Sequence, residues 1–178
     1  MTPPQDPTPF GCDSFDHLLG LDPAPSDWIE TSQADVDAHA ATAGDGGWIH
    51  NDVERSAAGP YGSTLLQGTL MQANLPRMIR GALDWPTEGI LNRFHYGYDR
   101  VRFVNQVPTG SRIRGQFALT EVVPKADDGR DVLARLGCTI EAELADGTIR
   151  TAVVADMLAY FVADRAADQA DDGSADGA

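Results

Sequence analysis

Residues 65–83 read LLQGTLMQANLPRMIRGAL, and they form the longest run of apolar residues at helical spacing in the chain. The apolar side chains cover a wide face, which is typical of a helix buried among other elements. Pro76 lies inside the run, and we expect it to bend or break the helix because proline lacks the backbone N–H donor. The stretch therefore predicts a long, buried central helix.

Four segments with strand-like patterns follow this helix, at residues 90–104, 111–123, 132–144 and 148–162. In the second segment apolar and polar residues roughly alternate, as on a strand with one buried face. The turn signal Asp146-Gly147 joins the last two strands, and we expect an antiparallel meander. A sheet with one apolar face needs a cover, which only the long helix can provide. The sequence predicts an α+β fold in which an antiparallel sheet wraps around a long central helix.

Shorter elements precede the central helix. We expect a short helix at residues 14–21, a short strand at residues 27–30 and a helix over Gln33–Ala43. Thr31 or Ser32 would cap that helix at its start, and Gly44 follows its end. A histidine at position 39 lies on the apolar face of this helix, where a packing role is expected. Residues 44–62 are predicted to form a long loop with one helical turn near residues 53–57.

The length of 178 residues fits one domain. Residues 1–13 are expected to be a flexible lead, residues 14–163 the folded domain, and the acidic residues 164–178 a disordered tail. Cys12 and Cys138 lie too far apart for a metal-binding motif, and we expect both to be reduced thiols, with Cys138 in the core.

The net charge of −14 argues against a nucleic-acid partner, because phosphate binding needs a basic face. No apolar run is long enough to span a membrane, and the first residues lack the pattern of a signal peptide. We therefore expect a cytoplasmic protein without a membrane partner. No second histidine has ligand spacing around His50, so neither a metal nor another cofactor is predicted.

Chemistry is concentrated in the glycine-rich loop before the central helix, where Asp45 and His50 lie five positions apart. A carboxylate beside an imidazole can hold a water molecule and move protons in both directions. Gly68 lies near the start of the helix, where amide N–H groups lack intrahelical partners and can stabilise a developing enolate. Such a set suits the addition or removal of water next to a thioester. Spacing alone does not distinguish this pair from a capping aspartate and an unrelated histidine.

Several motifs in order resemble the MaoC-like dehydratases, which include the (R)-specific enoyl-CoA hydratases, and in particular the nodulation-protein-N-like branch. They are AGDGGWIHND at residues 43–52, GPYGSTLLQG at 59–68, HYGYDRVRF at 95–103 and VPTGSRIR at 107–114. The resemblance implies a hot-dog fold and a homodimer with active sites near the subunit interface. It also implies reversible hydration of a trans-2-enoyl thioester to an (R)-3-hydroxyacyl thioester, linked to CoA or to a carrier protein.

By the same resemblance, Asp45 and His50 are the acid/base pair, and the amide of Gly68 faces the thioester oxygen. Ser63 falls near the site without an assigned role. Gln67 stands where the family usually has histidine, so it either supports the loop or alters the acid/base pair. Gly46-Gly47 replaces bulkier residues of the family and is expected to loosen the loop.

Two other functions are open at this point. A hot-dog thioesterase often uses a carboxylate on the central helix. Residues 63–83 contain neither Asp nor Glu, which makes a thioesterase only a distant alternative. A non-catalytic subunit that binds acyl thioesters would also fit the departure at Gln67.

Overall fold

The structure is a computed structural model that describes residues 9–22 and 24–166. The predicted lead and tail fall mainly on residues 1–8 and 167–178, which lie outside the described residues. Phe10, which we expected in the flexible lead, is buried and packs its ring against those of Phe15 and Phe161. At the other end, Arg165 forms ion pairs with Asp128 and Asp131.

The elements before the central helix follow the prediction closely, with one exception. Strand β1 is Ile29–Glu30 and helix α1 is Gln33–Ala43. Ser32 caps α1 through its hydroxyl, and Gly44 ends it at a φ of 70°, a left-handed conformation that glycine adopts without strain. The exception is the helix expected at residues 14–21, which is wrong; a short 3-10 helix at Cys12–Phe15 stands near its start.

The long loop contains more helix than its sequence suggests. Helix α2 is Trp48–Asn51 and helix α3 is Val53–Ala57, and the two meet at Asp52. Asp52 starts α3 by accepting a hydrogen bond from the amide of Arg55. Helix α2 was not predicted, because a helix of four residues is too short to show a periodic pattern.

The central helix is not continuous, which corrects the expectation of one long helix over residues 65–83. It consists of α4, Gly68–Ala73, and α5, Leu75–Ile79, which meet at Asn74. Pro76 lies at the start of α5, where its missing N–H costs no helical hydrogen bond, and the break precedes it. Residues 65 and 66 stay extended because their amides bond the carbonyls of Ile49 and Val107.

Four long strands form the sheet: β2 is Ile90–Phe103, β3 is Arg112–Lys125, β4 is Asp131–Glu143 and β5 is Ile149–Ala163. All pairings are antiparallel, and the strand order is β1-β3-β4-β5-β2. The simple meander is therefore wrong, since β2 pairs with β5 rather than with β3. Residues 104–111 cross from the β2 edge to β3, the second strand from the opposite edge, and bond the segment before α4 on the way.

The core lies between the inner face of the sheet and the helices α4 and α5. Inward side chains of β3 and β4 alternate with outward ones, and Cys138 is buried among them, as predicted. Helix α5 packs closely on β3: a side chain at Gly115 would lie 3.1 Å from Cβ of Met78. Among the described residues, no helix is long and apolar enough to cross a membrane.

Candidate active site

Asp45 directly follows the left-handed Gly44 that ends α1, and its side chain is half-buried. The hydroxyl of Thr69, the second residue of α4, donates to Oδ2 of Asp45 at 2.8 Å. The backbone carbonyl of Asp45 accepts a hydrogen bond from the side-chain amide of Gln67 at 3.3 Å. Asp45 is therefore held from both its side chain and its main chain by residues at the start of α4.

His50 is the third residue of α2 and is also half-buried. Its Nδ1 lies 2.7 Å from the carbonyl oxygen of Leu65. A carbonyl can only accept, so Nδ1 carries the proton of the neutral ring. Nε2 is then left with its lone pair, which is the form of imidazole that can act as a base.

The two sequence-predicted acid/base residues are thus anchored to the same short segment, residues 65–69. Leu65 binds His50 through its carbonyl, while Gln67 and Thr69 bind Asp45. In addition, the amide of Leu65 donates to the carbonyl of Ile49, which ties α2 to this segment a second time. The fold therefore places the aspartate and the histidine beside the start of α4.

Gln67 is fully buried, at 0% exposure, immediately before α4. Its Nε2 donates both hydrogens to main-chain carbonyls, at 3.0 Å from that of Val36 on α1 and 3.3 Å from that of Asp45. These contacts clamp α1, the Asp45 loop and α4 together. Of the two roles considered for Gln67, its geometry supports the first, which is to hold the loop.

A second set of polar contacts holds α2 against α1. The Nε2 of Gln33 donates to the main-chain carbonyl of His50 at 2.8 Å, and its Oε1 accepts from Thr64 at 2.6 Å. Asp37 accepts hydrogen bonds from Gln33 and Asn51 at 2.9 and 2.7 Å. These hydrogen bonds, from Gln33 first and then Asn51, hold the pKa of Asp37 below its ordinary value, so the carboxylate that organises the contacts is ionised.

Gly68 is the first residue of α4, so its amide has no partner within the helix. A side chain at this position would lie 2.5 Å from the ring of Phe103, the last residue of β2. The glycine is therefore required by a close approach, because only a residue without Cβ lets the aromatic ring lie against the backbone. The ring in turn covers the main chain beside the predicted oxyanion donor.

Ser63, which the sequence placed near the site, makes a local contact. Its hydroxyl donates to the carbonyl of Thr64 at 3.1 Å. In the part of the chain that the structure describes, no hydrogen bond joins Ser63 to Asp45 or His50. Nor do the described residues contain a group of three or more His, Cys, Asp or Glu side chains that could hold a metal ion.

Sequence reasoning missed Thr69 and Gln33. Thr69 lies next to a glycine in a run read as apolar, and Gln33 starts a helix far ahead of the loop. Their roles depend on contacts between residues 24 and 31 positions apart, which no local spacing reveals.

Comparison with known proteins shows the family and the fold. The sequence model of the MaoC like domain matches residues 14–141. The 3-hydroxyacyl-thioester dehydratase Z of Mycobacterium tuberculosis is 37% identical over 138 residues, which cover 78% of this chain and 87% of that protein. Nodulation protein N of Rhizobium leguminosarum bv. viciae is 36% identical over 104 residues, which cover 58% of this chain and 64% of that protein.

The solved structure of the R-hydratase PhaJ1 from Pseudomonas aeruginosa superimposes with a TM-score of 0.60 at 18% identity, covering 82% of this chain and 83% of the other. At this identity the likeness concerns the fold, and it confirms the predicted α+β hot-dog architecture. The match of the domain model over most of the chain and the similarity to the dehydratase show the family. The chain belongs to the MaoC-like dehydratase family.

Proposed function

We propose that this protein is a carbon–oxygen lyase that interconverts a trans-2-enoyl thioester and an (R)-3-hydroxyacyl thioester, carried by CoA or by a carrier protein. The main support for this proposal is that Asp45 and His50 both form hydrogen bonds to residues 65–69, which leaves Nε2 of His50 as the free base. Family membership and a relative named as a 3-hydroxyacyl-thioester dehydratase support the same reaction. No cofactor is needed, since hydration changes no oxidation state overall.

In the hydration direction, a water molecule lies between the Asp45 carboxylate and Nε2 of His50. The pair takes one proton from this water as its oxygen bonds to C3 of the enoyl chain. Electrons move to the thioester oxygen, which becomes an enolate. The pair then returns a proton to C2, and the enolate collapses to the 3-hydroxyacyl thioester. Dehydration follows the same steps in reverse.

The enolate oxygen needs a donor, and we assign this role to the amide of Gly68. The amide lies at the first position of α4 and has no helical partner. The Phe103 ring lies against this glycine, where it excludes water from one side and strengthens a hydrogen bond to the oxygen. Gln67 acts through the main chain, as a positioning residue for Asp45.

Purified protein with crotonyl-CoA tests the proposal by the loss of enoyl absorbance. Removing an acid/base group costs about 10²–10⁴-fold, so we expect Asp45→Asn and His50→Gln to lower kcat by that factor. Asp52→Asn is the matched control for the aspartate, because asparagine caps α3 equally well. His17→Gln, on an exposed histidine, is the control for the imidazole.

Two other results would redirect the assignment. Binding of enoyl-CoA thioesters of several chain lengths without turnover, unchanged by His50→Gln, would make the protein a non-catalytic acyl-binding subunit. Release of free thiol from acyl-CoA would make it a thioesterase. The comparisons do not favour either, and α4 and α5 carry no carboxylate.

We also infer that the protein is a homodimer joined through strand β2. This strand lies at the edge of the sheet and exposes Leu91, Phe94 and Tyr96, each with at least 49% of its surface accessible. A long edge strand with apolar side chains is normally covered by a partner. Its last residue, Phe103, lies against Gly68, so a dimer through β2 places the interface beside the active site.

Light scattering should show a dimer, and Phe94→Arg should give monomers; a monomeric wild type contradicts the inference.

A further inference from the structure

The hydroxyl of Thr69 lies between Asp45 and a second histidine. Its Oγ1 is 2.8 Å from Oδ2 of Asp45 and 2.9 Å from Nε2 of His39. His39 lies on α1, six residues before Asp45, and our sequence prediction gave it only a packing role. The structure places it instead at the end of a hydrogen-bonded chain that leads to the predicted acid/base residue.

The direction of this chain follows from its chemistry. An ionised carboxylate can only accept, so the single hydroxyl proton of Thr69 points to Asp45. Oγ1 must then accept from His39, which requires the proton of the neutral ring to be on Nε2. Thr69 is polarised by this second bond, and a chain of such bonds strengthens each member. The result is a directed hydrogen bond onto one oxygen of Asp45.

The chain complements the buried clamp made by Gln67. Gln67 holds the main chain of Asp45 and the carbonyl of Val36 on α1. His39 is one helical turn beyond Val36, and it holds the side chain of Asp45 through Thr69. Helix α1 thus sets the position of Asp45 by one contact and the rotation of its carboxylate by the other.

On its outer side, His39 lines an open groove of about 340 Å³ between α1 and α4, together with Ala38, Thr42, Leu70 and Asn74. Thr69 itself is exposed. The chain therefore runs from an open groove to the carboxylate, on the side of α1 away from the Gln33 and Asp37 contacts.

We propose that Thr69 and His39 are positioning residues for the reaction: they fix Oδ2 of Asp45 and leave Oδ1 to face the water and the substrate. This inference rests on the proposed hydratase function, since it assigns the role that Asp45 plays there. Neither residue touches the reacting atoms. Their loss should therefore lower kcat and leave substrate binding almost unchanged.

The test compares kcat and KM for crotonyl-CoA in variants of the full chain, with thermal melts to check folding. Thr69→Val keeps the shape and removes the hydroxyl; we expect kcat to fall about tenfold and KM to change less than about twofold. Thr69→Ser should restore kcat to within about twofold of wild type, because it restores the hydroxyl. Thr42→Val, on the same groove, is the matched control and should have no effect.

A double-variant cycle tests the order of the chain. His39→Ala should lower kcat about threefold in the wild type and have no further effect in Thr69→Val, because its action passes through the hydroxyl. Wild-type kcat in Thr69→Val, equal loss in Thr69→Val and Thr69→Ser, or additive effects of the two sites would each overturn the proposal. Activity of the wild type and its loss in Asp45→Asn would leave the hydratase function standing in those cases.

A readout that needs no turnover separates failure of this inference from failure of the function. In ¹⁵N spectra of the histidine rings, Asp45→Asn should shift the Nε2 signal of His39, and the shift should vanish in the Thr69→Val background. If the wild type does not hydrate crotonyl-CoA, this result still supports the chain. An unshifted signal overturns it.

Discussion

The side-chain amide of Gln67 lies 3.3 Å from the main-chain carbonyl of Asp45 and 3.0 Å from that of Val36. An amide nitrogen with two hydrogens satisfies two carbonyls at once, which a neutral imidazole with one N–H cannot do. The glutamine that departs from the family pattern is therefore suited to hold three elements of the site together.

Gln67→Leu keeps the volume of the side chain and removes both hydrogen bonds from buried carbonyls. We expect the free energy of unfolding to fall by roughly 1–3 kcal/mol, and kcat to fall because Asp45 loses its support. Urea denaturation and the crotonyl-CoA assay measure the two effects. Gln116→Leu, at an exposed position of β3, is the control. Unchanged kcat in Gln67→Leu would show that the clamp does not position Asp45.

His50 and His17 should hold their ring protons on opposite nitrogens. Nδ1 of His50 faces the carbonyl of Leu65 at 2.7 Å, whereas Nε2 of His17 faces the carbonyl of Asp84 at 2.9 Å. Carbonyls only accept, so the neutral rings carry the proton on Nδ1 in His50 and on Nε2 in His17. Long-range ¹H–¹⁵N spectra distinguish the two forms. An Nε2-protonated His50 would contradict its assignment as the free base.

Gly68→Ala should damage the site through Phe103. The new Cβ would lie 2.5 Å from the near end of the ring, so the whole side chain must move away. Overpacking of this kind lowers the free energy of unfolding by roughly 1–3 kcal/mol. We expect the activation free energy from kcat to rise by more than this, because the ring lies beside the amide donor. The double variant Gly68→Ala, Phe103→Ala should recover stability. If it does not, the clash is not the cause.

Gly46→Ala tests the expectation that the paired glycines loosen the loop. A Cβ there would lie 3.4 Å from Oδ1 of Asn51 and 3.8 Å from Cβ of Ala40, both ordinary contacts, and the backbone is not left-handed. We expect the variant to raise the free energy of unfolding by roughly 0.4–1 kcal/mol through the unfolded state. Gly44→Ala, at a φ of 70°, is the contrasting control and should destabilise. A lower free energy of unfolding in Gly46→Ala would mean that the loop needs the conformational freedom of glycine at this position.

Asp131 should make the fold sensitive to acid. Burial by itself raises the pKa of Asp131, but hydrogen bonds from the amide of Ala163, from Arg165 and from Tyr160 outweigh it and hold the pKa below its ordinary value. A lowered pKa in the folded state contributes stability above the unfolded value of about 3.9, and this contribution disappears as the pH falls through the folded pKa.

We therefore expect Asp131→Asn to destabilise the protein by roughly 1–3 kcal/mol near neutral pH and by less at an acidic pH below the unfolded value of about 3.9. Urea denaturation at both pH values measures the difference. Asp127→Asn, on the exposed loop between β3 and β4, is the control. A penalty that stays constant with pH would show that the charge of Asp131 does not contribute.

Local patterns in the sequence determined much of the fold. The capping serine and the left-handed Gly44 delimit α1 as predicted, and period-two alternation locates β3, because caps, turns and alternation act between neighbouring residues. The loop that holds Asp45 and His50 and the burial of the apolar side chains of Met71, Leu75, Met78 and Ile79 were also evident from residue order.

Only the tertiary structure decided how these parts meet. The pairing of β2 with β5, the break between α4 and α5, the proton position on His50 and the link from His39 through Thr69 to Asp45 all depend on contacts between distant segments. Hydrogen bonds are short-ranged and directional, so a residue's partner across the fold leaves no mark on the spacing around it. The sequence therefore indicated the candidate acid/base residues, and the fold shows which contacts hold them.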